Sequence, residues 1–172
     1  MKPSEKFRLM SEAAAKMSRK KILVGWIDPE EKHIDPDSGK KTISNGKLAR
    51  VLCTGWEAGT GADGREYPRL PARDFFKVAR TLYKSKLDSL TKKNMVAIST
   101  HKITDEKACK QLAEFWLARI QQAMRKSSEY EKLAKSTIAA RKSRNKSLKA
   151  KDAKTPLVDT GILIGSITYK VI

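Results

Sequence analysis

Residues 104–124 are the stretch that most restricts what this chain can become. Thr104 is followed by Asp105 and Glu106, a helix start in which acids sit at the positive end of the helix dipole. Ala108, Leu112, Phe115, Trp116, Ile120, Ala123 and Met124 then recur at three- and four-residue steps and build one broad apolar face. A face that wide must be covered, so the rest of the chain has to supply other half-apolar elements.

Those elements can be read from periodicity and punctuation. Residues 4–18 form a helix that Ser4 can cap, with Phe7, Met10, Ala14 and Met17 on one face. Residues 22–27 are a short apolar run of β-formers between Lys20-Lys21 and Asp28-Pro29, a strand signal. Residues 28–45, with Pro29, Pro36 and Gly39, are a loop or an extended hairpin. Leu48, Val51, Leu52 and Trp56 are spaced as on a short helix over 46–56. Gly55, Gly59, Gly61 and Gly64 open a flexible loop that Pro68 and Pro71 close. Asp74 caps a further helix whose buried stripe is Phe75, Ala79, Leu82, Tyr83, Leu87 and Leu90. Residues 94–100 either end that helix or form a strand. A short helix follows at 136–143 and a polar, basic loop at 144–154. Ile167, Tyr169 and Val171 alternate with polar residues as in a terminal strand. The sum predicts an α+β fold, a small antiparallel or mixed sheet with several amphipathic helices packed against it. One domain spans 1–172, with the N-terminal helix of residues 1–20 as an extension.

Charge sets the partners. The 37 Lys and Arg against 19 Asp and Glu leave a net charge of +18. The density is highest at 132–154, where Lys132, Lys135, Arg141, Lys142, Arg144, Lys146, Lys149, Lys151 and Lys154 face a single acid, Asp152. This segment is a solvated face or a surface for an anionic partner, nucleic acid or acidic protein. No apolar run approaches the roughly 20 residues of a spanning helix, and the N-terminus lacks the apolar core of a signal peptide, so no membrane role is expected. Cys53 and Cys109 read as two reduced, buried thiols rather than a disulfide framework.

Candidate chemistry is sparse. Asp159-Thr160-Gly161 looks like an aspartic-protease loop, where two carboxylates share a proton. That fold needs a second copy and most of its sheet after the motif; the residues here read as a turn in which Gly161 relieves steric limits. His33, Cys53, His101 and Cys109 lack metal-ligand spacing. The acidic stretch from Asp28 to Gly39 lacks the calcium-loop pattern, and the Gly55–Gly64 loop carries no phosphate-binding signature. A Ser–His–Asp arrangement is not excluded by spacing, but neither His has a nucleophile context. Trp56 and Trp116 read as core residues on apolar helix faces. Aromatic residues hardly interleave with the basic run, which weakens a single-strand-binding reading. No enzymatic activity and no cofactor are expected.

Several stretches, in order, resemble a known family. Pro156-Leu157-Val158-Asp159-Thr160-Gly161-x-Leu163-x-x-Ser166-Ile167-Thr168-Tyr169-x-Val171 is similar to the C-terminal motif of the virion-morphogenesis, or tail-completion, proteins at the neck of tailed bacteriophages. Residues 133–142 resemble that family's short helix. Leu70-Pro71-Ala72-Arg73-Asp74-Phe75-Phe76 resembles its I-P-A-R-P-F-L, after Glu57-Ala58-Gly59-Thr60 in place of E-F-G-T. Asp74 stands where the family has proline, and Ala58 where it has an aromatic. The resemblance implies a structural virion protein assembling as a ring, a hexamer, between the head connector or adaptor and the tail terminator or tail tube; its basic surface would meet either acidic partners or the packaged DNA. Its motif residues here are Glu57, Gly59, Pro71, Arg73, Phe75, Pro156, Asp159, Thr160, Gly161, Leu163 and Ser166. It implies that 159–161 turn the chain into the last strand, that 22–27 pair with that strand, and that Pro71 and Arg73 fix the start of the Phe75 helix. The alternative is a nucleic-acid-binding module contacting phosphates through 132–154.

Overall fold

Helices α3 (Phe75–Ser99) and α4 (Asp105–Met124) pack against each other and carry most of the core. They belong to a computed structural model that describes residues 3–27, 32–34, 41–61, 64–144, 154–157 and 161–172. Both helices start as their sequences predict. Asp74 Oδ1 accepts a hydrogen bond from Lys77 N at 2.9 Å, and Thr104 Oγ1 accepts one from Lys107 N at 3.2 Å. Each cap satisfies an N–H that the first turn leaves without a helical partner. The run at 94–100 proves to be helix: α3 continues through Ser99. Asn94, buried inside it, donates to Ala108 O at 3.2 Å and ties α3 to α4. The last turn of α4 is closed by Tyr130, whose buried hydroxyl donates to Ala123 O at 2.9 Å.

On α4, Ala108, Leu112, Ile120, Ala123 and Met124 are buried as expected, and Phe115 and Trp116 are half-buried against the core. Helix α1 (Pro3–Ser18) covers the other end of the α3–α4 pair, where Ala13 packs with Ile98 and Ala108. Its inward face differs from the expectation at one position. Phe7 is 77% exposed, and Ala13 rather than Phe7 is the buried residue. Phe7 lies in the second turn from the N-terminal end, and Ala13 has room for a close helix–helix approach because its side chain is small.

Strand β1 (Ile22–Gly25) pairs antiparallel with the C-terminal strand β6 (Thr168–Val171), with Val24 opposite Tyr169. The pairing joins 22–27 to the last strand as expected, over four residues rather than six. Helix α4 lies across this ribbon, and Tyr169 Oη donates to Glu114 Oε1 at 3.2 Å. Among the described residues there are two smaller antiparallel pairs: β2 (Lys32–Ile34) with β3 (Lys41–Ser44), and β4 (Gly59–Thr60) with β5 (Glu66–Tyr67). The 28–45 segment is thus the extended hairpin of the two alternatives in its described part. The glycine-rich loop contains a short strand pair. The architecture is α+β, with helices packed on small antiparallel ribbons.

Helix α2 (Asn45–Thr54) ends two residues before the predicted boundary, and Trp56 therefore leaves the helix face. Trp56 is 43% exposed, bridges to Leu70 and donates from Nε1 to Pro68 O at 2.9 Å. Its expected core role is wrong because Gly55 turns the backbone out of the helix. Helix α5 (Lys135–Arg144) and the single turn α6 (Ile162–Gly165) finish the fold. Sequence periodicity did not reveal α6, because four residues are too few for a helical repeat.

Candidate interaction groove

The segment after Gly55 determines the site. Gly55 N bonds to Val51 O at 2.8 Å and closes α2, while its carbonyl-side backbone turns through φ 63° and ψ −174°. Trp56 and Leu70 then exchange two backbone hydrogen bonds at 2.9 Å, and Arg73 N donates to Leu52 O at 2.8 Å. From Ala72 to Phe75 the extended chain alternates out and in: Ala72 and Asp74 are exposed, Arg73 and Phe75 buried. Asp74 is outside, capping α3. Arg73 is carried inward beside the core.

These elements wall one side of a groove of about 600 Å³; α5, the residues leading into it and Pro156 wall the other. Leu70, Pro71, Leu133 and Ala134 supply apolar surface, and Arg69, Arg73, Arg141 and Lys132 supply positive charge. At the mouth, Arg69 Nη1 donates to both carboxylate oxygens of Glu131, at 3.0 and 3.1 Å, and Arg69 Nε lies 3.7 Å from Glu57. The Arg69–Glu131 pair is exposed, so it contributes at most about 1 kcal/mol to stability. Its effect is to hold the 68–70 segment against residue 131.

Arg141 corrects the sequence reading. It was expected at the basic surface and is instead 8% exposed. Its Nη1 donates to Thr155 O at 2.8 Å and its Nη2 to Pro156 O at 3.2 Å. A buried guanidinium needs acceptors, and two carbonyls of the returning C-terminal segment supply them. The cation fastens α5 to that segment. Arg141→Ala should cost about 2–3 kcal/mol, the worth of hydrogen bonds to a charged group plus two stranded buried carbonyls. A shift of the urea midpoint would measure it.

Arg73 is 4% exposed, and nothing among the described residues accepts a hydrogen bond from its Nε. Burial, and then the positive charge of Arg141, hold its guanidinium below the ordinary arginine value, while Glu131 opposes them. Arginine stays charged through such shifts. The groove thus holds a cation whose Nε the described residues leave without an acceptor.

The remaining motif residues gather on the far side of Phe75. Trp26 Nε1 donates to Leu163 O and to Ser166 Oγ, both at 3.0 Å, and its ring meets Phe75 and Phe76 edge-on at 5.7 and 6.3 Å. Gln121 Nε2 donates to Ile164 O at 3.0 Å and docks the same turn on α4. Gly161 is left-handed at φ 79° and opens α6 instead of feeding β6 directly. So Phe75, Leu163 and Ser166 form one cluster, and Arg73, Pro71 and Pro156 the neighbouring groove. Glu57 and Gly59 are exposed, and Glu57 faces Arg69 at the mouth. Asp159 and Thr160 lie outside the described residues, as do Lys146, Lys149, Lys151 and the side chain of Arg144. Lys132, Lys135, Lys142 and Lys154 are exposed.

Arg69 and Glu131 are contributors that sequence reasoning did not single out. Cys53 is half-buried near the groove's inner wall, and Cys109 is buried. Burial, with a smaller push from Asp74, raises the Cys53 thiol to about 11. It should therefore react with iodoacetamide at pH 7.5 about two orders of magnitude more slowly than an ordinary thiol, accelerating as pH climbs towards 11. By linkage, the neutral thiol favours the folded state, so that contribution holds below the ordinary thiol value of 9.0 and is lost as pH rises from there towards 11. Mass-spectrometric labelling across pH checks the rate.

Among the described residues, no three His, Cys, Asp or Glu side chains come together as metal ligands would, and no described helix is long and apolar enough to cross a membrane. Comparison with family models, with curated proteins and with solved structures returns no match for this chain.

Proposed function

We propose that this chain is a structural subunit of the neck of a tailed-bacteriophage particle, a tail-completion protein that works by assembly rather than by catalysis. The observation that carries the reading is the ordered motif set from Glu57 to Val171. The roles of its described residues support it. Phe75 and Leu163 fill the core, Ser166 accepts a hydrogen bond from Trp26, and Gly161 makes a left-handed turn. These are packing and turn duties, as expected of a scaffold. In this reading subunits form a hexameric ring between head connector and tail tube, inside the virion, after synthesis in the host cytoplasm.

Charge gives the reading a direct test. Six copies would bring together six times +18, or 108 positive charges. Such a ring repels itself unless acidic neighbours, DNA or salt compensate. Purified protein should sediment as a monomer at low ionic strength and form rings, visible by electron microscopy, when salt or tail components are added. A chain that stays monomeric in every condition, from a gene flanked by no virion genes, overturns the assignment. A compact ring of pure protein in low salt overturns the need for a charged partner.

A second reading, phosphate contact by the basic segment, is favoured by the exposed Lys132, Lys135, Lys142 and Lys154 around α5. It requires duplex or single-strand binding that weakens steeply with salt.

A further inference from the structure

We infer that the groove between the 68–73 segment and α5 is a receptor for an acidic segment of a partner protein, with the guanidinium of Arg73 receiving a carboxylate. The inference goes beyond the virion reading and stands or falls without it.

Three observations converge. The first is the cation. Arg73 is almost wholly buried, yet its Nε has no acceptor among the described residues. Buried polar groups are hydrogen-bonded in the great majority of cases, and buried charges are paired. Arg141, the neighbouring buried guanidinium, meets that rule with two carbonyls. Glu131, the acid among the described lining residues, is engaged in both oxygens by Arg69. An arginine that lines an open groove, with no carboxylate bound to it among the described residues, presents a planar fork that matches the bidentate geometry of one.

The second is the groove itself. At about 600 Å³ it holds several side chains rather than one ion. Its walls are mixed: Leu70, Pro71, Leu133 and Pro156 offer apolar contact between the cations. A bare phosphate gains nothing from such walls, whereas a peptide that alternates apolar and acidic residues uses both. Trp56, large and 43% exposed at the edge, extends the apolar surface.

The third is the rim. Glu131 and Glu57 stand at the mouth around Arg69. A nucleic-acid backbone, with a charge on every residue, would be driven against these carboxylates. A short acidic peptide can exchange one carboxylate for another, displacing Glu131 from Arg69 or passing beneath it. The net charge of +18 attracts such a segment from a distance.

The test is arginine-detected NMR on the full chain at low salt. Four probes are titrated separately: a blocked Leu-Glu-Leu-Glu tetrapeptide, its Leu-Gln-Leu-Gln counterpart, inorganic phosphate and a short DNA duplex. The acidic tetrapeptide should shift the Nε–H resonance of Arg73 saturably, and the glutamine version should not. Arg73→Met should weaken the acidic peptide by about tenfold or more, and Arg73→Lys should restore only part of it, because an ammonium cannot form the fork. Arg73→Met should melt at or above the wild-type temperature, since burial and the charge of Arg141 cost that cation more than Glu131 returns. The wild-type resonance needs no variant, so the test survives a misfolded substitution. Equal shifts by both peptides, saturation by phosphate or duplex alone, or no shift from the acidic peptide would each overturn the proposal. Ring formation is not read by any arm, so failure here leaves the virion reading standing, and the converse holds.

Discussion

Replacing Phe75 by alanine is expected to remove about 3–5 kcal/mol of stability, the range for deleting a large aromatic side chain from a closed core. Phe75 is wholly buried. Its ring lies 4.9 Å from that of Phe76 and 5.7 Å from that of Trp26. A cavity there would also loosen Trp26, whose indole N–H holds Leu163 O and Ser166 Oγ. The loss should therefore exceed the transfer free energy of the missing atoms and reach the C-terminal turn 88 residues further along the chain, counted from Phe75 to Leu163. Urea denaturation with an unchanged slope would measure it, and Phe76→Ala, at a half-buried position, should cost less. A loss below about 1 kcal/mol would show that this cluster does not hold the two halves together.

Gly55→Ala is expected to cost about 4 kcal/mol, as the sum of two effects that are each about 1–3. The first is backbone strain, because φ 63° with ψ −174° is a region that only glycine occupies readily. The second is a collision. A Cβ at this position would stand 2.4 Å from Leu70 O and 2.6 Å from Ala72 N, and backbone atoms cannot swing aside. The Trp56–Leu70 bridge would have to open, and with it one wall of the Arg73 groove. Gly161→Ala separates the two effects. Its φ is 79°, but nothing lies within 4 Å of the added carbon, so it should cost only about 1–2 kcal/mol. Thermal melts of both variants decide the point; equal losses would mean that close packing around Gly55 is unimportant.

The helices were legible because their signals are local. Asp74 and Thr104 cap as read, and α4 buries the face that its spacing marks. The pairing of the first and last described strands, β1 and β6, was also foreseen, though through the resemblance rather than through any pattern in the residues. What escaped is instructive. Trp56 looked like a core residue because its spacing continues that of Leu52; a glycine one residue earlier ends the helix and turns it outward. Phe7 fits an apolar stripe, yet the helix packs through Ala13 instead. Arg141 belongs to the densest basic run in the chain and is nevertheless buried. Charge counting treats every lysine and arginine alike, whereas burial depends on whether acceptors are brought within reach by other parts of the chain.

The candidate groove shows the same division. Its motif residues could be named in advance through the family resemblance, Pro71, Arg73 and Phe75 from one short stretch and Pro156 from the C-terminal one. That they form two neighbouring clusters, one apolar around Trp26 and one cationic around Arg73, could not be foreseen.

By itself, the sequence determined the caps at Asp74 and Thr104, the apolar faces of α3 and α4, and the net charge of +18. Each of these follows from interactions within a few residues or from simple counting. The tertiary structure alone decided which positive charges face water and which are buried, and that Arg141 finds two carbonyls while Arg73 is left facing a groove. Those outcomes depend on contacts between 73, 131, 141 and 156, positions brought together only when α5 and the C-terminal segment close over the end of α2. Desolvation of a charge is a property of all its neighbours at once, and no local pattern encodes it.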